Sequence, residues 1–132
     1  MKGLVQGDSE IIDFVVACFI AGALSQEELR SWAKTLVESC NEYPLYLIDF
    51  MEFEGARLGV YQLMDFYPGG MGPSTPEAGT TINQIAYDRH EIANDDVGSA
   101  DLKANGYACS ETVKLFNDVF HFLPDIPLAL SR

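Results

Sequence analysis

"SQEELRSWAKTLVES", residues 25–39, is the most clearly patterned stretch of the sequence. Ser25 is suited to cap a helix, and Glu28 stands three positions later, where its carboxylate can close a capping box. The sequence therefore predicts an amphipathic helix from Gln26 to about Cys40 that packs on a core. Its inward stripe has helical spacing and consists of Leu29, Trp32, Ala33, Leu36, Val37 and Cys40.

A long apolar run, residues 14–24, precedes this helix. It predicts a central, buried helix from about Ser9 to about Leu24 that forms an antiparallel hairpin with the next helix. The run is too short to cross a bilayer, which needs roughly 20 residues. Acidic residues precede it, where a secretory signal would carry positive charge. With three cysteines and no C-x-x-C pair, we expect a cytoplasmic protein with reduced thiols and no membrane partner.

The rest of the chain predicts further helices and one long loop. Residues 45–53 suit a strand or a buried helix, and the spacing favours a helix with Leu45, Ile48 and Phe53 inside and Asp49 and Glu52 outside. Residues 57–67 predict another short helix, and helices are also expected over residues 82–96 and from a Ser110 cap to Leu123. Three prolines and four glycines in residues 68–81 predict a long Pro/Gly loop. The expected fold is mainly α, a single domain spanning residues 1–132 with five or six helices.

Negative charge is the strongest compositional signal. Twenty acidic residues face eight basic ones, which gives a net charge of -12. Residues 38–101 hold twelve of the acids, opposed only by Arg57 and Arg89. Nucleic acid and anionic membranes are excluded as partners, since both favour Lys and Arg clusters. The excess fits either a surface for a basic protein or ordinary solubility.

No pattern of a catalytic or cofactor site is found. The chain has no G-x-S-x-G, P-loop or dinucleotide motif. A possible metal site consists of Asp88, Glu91 and Asp95, which share one face of the predicted helix, and carboxylates are ligands that Mg²⁺ and Ca²⁺ use. However, His90 points away from that face, and the segment lacks the glycine of a calcium-binding loop. A solvated acidic face is the simpler interpretation. His121, between two phenylalanines, predicts a partly buried structural histidine. We therefore expect no enzymatic activity, no metal and no cofactor.

The segment "LSQEELRSWAKTLVES", followed by "YPLYLIDFMEFEG", resembles small bacterial immunity proteins. These proteins accompany polymorphic toxins, including those of contact-dependent growth inhibition. The likeness lies in a phrase L-S-x-E-E-L-x-x-W-A at residues 24–33, then a proline break and an L-x-D segment within residues 44–49. It implies a non-enzymatic cytoplasmic inhibitor that binds and neutralises a cognate toxin domain.

Many such toxins are nucleases with basic clefts, which an acidic surface can occupy in place of phosphate. Tyrosines would serve as protein-contact anchors, and the candidates are Tyr43, Tyr46, Tyr61 and Tyr67. A regulatory adaptor or a subunit of a larger assembly is the alternative function, and a metal-dependent enzyme is the third. The expected toxin-binding residues are Asp88, Glu91, Asp95 and Asp96 first, and Glu52, Glu54 and Asp65 second.

Overall fold

The second helix begins as the sequence predicts, and its capping box is complete. The Ser25 hydroxyl accepts a hydrogen bond from the Glu28 N–H at 3.1 Å, and the Glu28 carboxylate accepts one from the Ser25 N–H at 2.9 Å. These bonds satisfy backbone donors that the start of a helix leaves without an intrahelical partner. The helix runs over Gln26–Ser39 and Trp32 is buried, so the predicted inward face is confirmed.

The structure is a computed structural model that describes residues 3–64, 75–90 and 107–126. Within these ranges the chain forms five α-helices and one 3₁₀-helix, and no β-strand. All six elements contribute buried side chains to one hydrophobic core, which confirms the mainly α, single-domain prediction. The elements are α1 (Glu10–Ala21), α2 (Gln26–Ser39), α3 (Tyr46–Met51), the 3₁₀-helix (Arg57–Leu63), α4 (Pro76–His90) and α5 (Ser110–Val119).

Helix α1 occupies the central position that its apolar sequence predicts. Six of its residues are buried, which agrees with a helix that is apolar on most of its circumference. It ends at Ala21, three residues before the predicted end, because Gly22 adopts a left-handed conformation with φ 93°. The Gly22 and Ala23 N–H groups then donate to carbonyls in the last turn, a common way to end a helix. Helix α2 packs more extensively on α3 than on α1.

Helix α3, over Tyr46–Met51, confirms a helix within residues 45–53. Phe53 is buried as predicted, but the rest of the buried face differs from the predicted one. Tyr46, Leu47 and Phe50 are buried, whereas Leu45 is 80 % exposed and Ile48 is 38 % exposed. The aromatic rings decide the orientation, since Phe50 packs against both Trp32 and Tyr46 and aromatic side chains bury the most apolar surface. The expected exposure of Tyr46 is therefore wrong, and its hydroxyl donates to the Leu4 carbonyl.

Helix α4 begins inside the segment predicted as a Pro/Gly loop. The Thr75 hydroxyl accepts a hydrogen bond from the Ala78 N–H at 3.1 Å, and Pro76 takes the first helical position, where its missing N–H costs nothing. The prediction of a loop is therefore wrong for residues 76–81, which are helical. The first part of the predicted loop, residues 68–74, lies outside the described ranges. The last residues of the predicted helix 82–96, residues 91–96, also lie outside them. The helix predicted over residues 57–67 is a 3₁₀-helix that ends at Leu63.

Helix α5 is shorter than predicted at its carboxyl end. It starts at Ser110, with Cys109 rather than Ser110 at the cap position, and it ends at Val119. Val113, Phe116 and Phe120 are buried in the core. Because the chain leaves the helix at residue 120, His121 lies in a turn and is exposed, so its predicted partial burial is wrong.

We predict that replacing the two leucines of the α3 segment by alanine will have unequal effects. Leu47→Ala removes a fully buried side chain and should lower the free energy of unfolding by about 2–5 kcal/mol. Leu45→Ala, at an exposed position, should change it by no more than about 0.5 kcal/mol. Urea unfolding followed by circular dichroism measures both, and equal destabilisation would contradict the observed orientation of α3.

Candidate functional site

The outward side of α3 combines apolar and acidic side chains. Leu45, Ile48, Asp49 and Glu52 are separated by three, four and seven positions, which places them on one side of a helix. All four side chains are exposed, and Leu45 shows 80 % of its surface to solvent. We call these four residues the outer face of α3. This face therefore presents apolar and acidic side chains next to each other to solvent.

A shallow depression adjoins this face where α3 meets the 3₁₀-helix. Its volume is about 510 Å³, and three carboxylates line it together with small and apolar groups. Leu58, on the 3₁₀-helix, is 67 % exposed close to the depression's lining residue Gly59. We call this concavity the acidic depression; its lining residues are Asp49, Glu52, Phe53, Glu54, Ala56, Gly59, Gln62 and Leu63.

One of the three carboxylates has a basic partner. Arg30 donates from Nη2 to Glu54 at 2.9 Å and from Nε to the Phe53 carbonyl at 2.9 Å. The Glu54 side chain is 77 % exposed, so this ion pair contributes at most about 1 kcal/mol and is screened by salt. Asp49 and Glu52 form no ion pair with any described residue. The acidic depression therefore keeps a local excess of negative charge.

The two arginines of the acidic middle region are turned inward. Arg57 donates from Nη1 to the carbonyls of Phe19 and Leu24 at 2.5 and 2.7 Å, and its guanidinium lies 4.8 Å from the Phe19 ring centre. Arg89 donates from Nη1 to the Ala23 carbonyl at 2.7 Å. Both cations thus bind backbone oxygens around the connection between α1 and α2. Neither pairs with a carboxylate on the outer face of α3.

Arg89 also pairs with the carboxylate that caps α2. Glu28 accepts hydrogen bonds from Arg89 Nη1 at 3.0 Å and from Arg89 Nη2, and His90 Nε2 lies 3.0 Å from the same carboxylate. Burial alone would raise the pKa of Glu28, but the hydrogen bonds from Arg89, Ser25 and His90 together lower it to about 2. We call Ser25, Glu28, Arg89 and His90 the Glu28 cluster.

The structure describes three of the seven residues that the sequence analysis expects to bind a toxin. Glu52 and Glu54 are exposed and line the acidic depression. Asp88 is exposed and accepts a hydrogen bond from the Tyr107 hydroxyl at 3.1 Å. His90 contacts Glu28, so Asp88 and His90 have different partners. The other four expected residues lie outside the described ranges, and they are Asp65, Glu91, Asp95 and Asp96.

The apolar members of the surface are not among the residues that the sequence predicts to bind. The predicted helix has Leu45 and Ile48 inside, and Asp49 and Leu58 are not among the predicted binding residues. The spacing that places Leu45 and Ile48 on the side of Asp49 and Glu52 was present in the sequence. The spacing alone did not show that Tyr46 and Phe50 would be the buried residues of this helix.

Among the described helices, none is long and apolar enough to cross a membrane. Comparison of the chain with known protein families, with curated proteins and with solved structures found no match. The geometry of the described residues and the sequence resemblance are therefore the basis of the function proposed below.

We predict that Glu28→Gln will destabilise the protein in a pH-dependent way. The pKa of Glu28 falls from 4.5 to about 2 on folding, so the ionised carboxylate favours the folded state. Its contribution, up to about 3 kcal/mol, is present above about pH 4.5 and is lost as the pH falls towards 2. Urea unfolding between about pH 7 and about pH 2 should show the wild type and the variant converging in acid.

Glu27→Gln is the matched control, since Glu27 is the exposed neighbour of Glu28 in the same helical turn. We expect it to change the free energy of unfolding by no more than about 0.5 kcal/mol at any pH. A Glu28→Gln effect that stays constant with pH, or equals that of Glu27→Gln, would contradict the role of the Glu28 cluster.

Proposed function

We propose that the protein is a non-enzymatic immunity protein that binds a basic toxin domain through the outer face of α3 and the acidic depression. The observation that carries this proposal is the exposure of Leu45 and Ile48 on the same side of α3 as Asp49 and Glu52. An inhibitor needs apolar side chains that lose water on binding and charges that match its target. This surface supplies both.

The apolar residues would provide most of the affinity. Leu45 and Leu58 are 80 % and 67 % exposed, and covering a leucine removes unfavourable contact with water worth about 1.5–3 kcal/mol. The carboxylates would act mainly on the association rate, since an acidic patch attracts a basic surface over several ångströms before contact. This division predicts an interaction whose association rate falls with salt and whose dissociation rate depends on the leucines.

The choice of a toxin as the partner is supported by the resemblance in residues 24–33 and 44–49. The second of these segments includes Leu45, Ile48 and Asp49, so the likeness and the exposed surface coincide. A nuclease domain is the toxin class that the charge favours, because its substrate cleft must be basic to hold phosphate. Exposed carboxylates such as Asp49 and Glu52 would occupy phosphate positions in that cleft. The protein would act in the cytoplasm of the toxin-producing cell, before its own toxin can damage it.

We predict that reversing two charges of the outer face of α3 will abolish protection against the toxin. Cells expressing the toxin domain encoded beside this gene should survive with the wild-type chain and die with Asp49→Lys/Glu52→Lys. Both residues are exposed, so the variant should fold, which circular dichroism checks. Glu111→Lys/Asp125→Lys makes the same change in net charge at two other exposed positions and should still protect.

Survival with Asp49→Lys/Glu52→Lys would contradict this placement of the interface. Binding of the toxin domain by the wild-type chain without any protection would contradict the immunity function and favour an adaptor. Reversal of the four acids at residues 88, 91, 95 and 96 tests the other surface that the sequence predicts. We expect the α3 variant to lose more protection, because exposed leucines accompany its carboxylates.

A further inference from the structure

A second apolar surface lies between α2 and α5, on residues that the proposed function does not use. Leu36 and Cys40 form one wall and Leu115 and Val119 the other, each pair being one helical turn apart. Trp32 is buried beneath these walls, and the groove has a volume of about 490 Å³. Leu115 is 40 % exposed although it faces this apolar lining. The groove therefore has room for apolar side chains from another molecule.

The polar side chains that line the groove add a charge requirement. Asp118 and His121 both line it and both are exposed. Asp118 forms no ion pair with a described residue, so its carboxylate is available to a basic group of an occupant. The net charge of -12 further disfavours an acidic occupant. An apolar side chain in the groove and a lysine or arginine beside Asp118 would complete this surface.

We propose that the groove binds a short amphipathic helix of a protein partner, with two apolar side chains and one basic side chain. The two walls are each one turn long, so they accommodate apolar residues at positions i and i+3 or i+4 of the partner helix. A basic residue on the flank of that helix pairs with Asp118. The lining comes mainly from α2, α5 and the residues that follow them, with Leu4 and Ile11 completing it, and no lining residue belongs to the outer face of α3.

Trp32 provides a direct test, because it is the protein's single tryptophan and it lines the groove. The probe is a synthetic helical peptide in which leucine and lysine alternate at helical spacing, titrated at about 0.15 M salt to screen distant charges. We expect a saturable change in Trp32 fluorescence. A peptide with glutamate in place of every lysine should give no change.

Matched variants locate the binding. Leu115→Gln should weaken the fluorescence titration about tenfold, since one leucine contact of about 1.5 kcal/mol is lost. Glu111→Gln, at an exposed position of α5 outside the groove, should leave it unchanged. Asp118→Asn should weaken binding about threefold to fivefold, as expected for a surface ion pair, and Glu77→Gln, at an exposed position of α4, should have no effect.

Several results would overturn the proposal. They are equal binding of the lysine and glutamate peptides, equal weakening by Leu115→Gln and Glu111→Gln, or an unchanged titration with Asp118→Asn. Circular dichroism checks the fold of each variant, and Asp118→Asn keeps the test decisive even where Leu115→Gln unfolds the chain. Absence of any Trp32 response to the lysine peptide also refutes it.

Discussion

The pairing of Glu28 with Arg89 is the interaction on which the arrangement of the helices depends. Glu28 accepts from the Ser25 N–H at the start of α2 and from Arg89 near the end of α4. Arg89 in turn binds the Ala23 carbonyl in the connection between α1 and α2. One half-buried ion pair thus joins two parts of the chain that are far apart in sequence, residues 23–28 and the end of α4. Its cost of burial is offset because the carboxylate and the guanidinium each have additional hydrogen-bond partners.

The positions of two arginines add to the acidity of the surface around α3. The region of residues 38–101 contains only Arg57 and Arg89 as basic residues, and both bind groups around the α1–α2 connection. The fold therefore uses its scarce cations for internal structure and leaves the carboxylates of α3 in water. A surface made this way gains solubility and attraction for basic proteins. Leu45 and Leu58 lie exposed beside these carboxylates, which is the observation that the proposed function sets out to explain.

The local patterns predicted much of the fold. The capping box of Ser25 and Glu28, the buried α1 and the inward Trp32 follow from the side chains of single segments. The failures arose where two patterns competed within a segment. In residues 45–53, apolar side chains lie on both sides of the helix. The side with Leu45 and Ile48 was predicted to be buried, but the side with Phe50 is buried instead, in contact with Trp32. At residues 76–81 the glycine and proline content predicted a loop, but the Thr75 cap and Pro76 start a helix there.

The candidate site was predictable only in part, for the same reason. Glu52 and Glu54 were selected from charge alone, whereas Leu45 and Ile48 became part of the surface only once the orientation of α3 was known. Similarly, the sequence showed Arg89 as one of the two bases among the acids of residues 38–101, but it did not identify Glu28 as its partner. Contacts between residues 61 positions apart depend on how helices pack, and no pattern within one helix specifies them.

The central claim is that the outer face of α3 and the acidic depression are covered by a basic protein. Hydrogen–deuterium exchange of this chain, measured with and without the toxin domain that the proposed function expects to be encoded beside its gene, tests it most directly. The account predicts slower amide exchange in residues 45–63 when the toxin domain is bound. Slower exchange confined to other segments, with residues 45–63 unchanged, would contradict it.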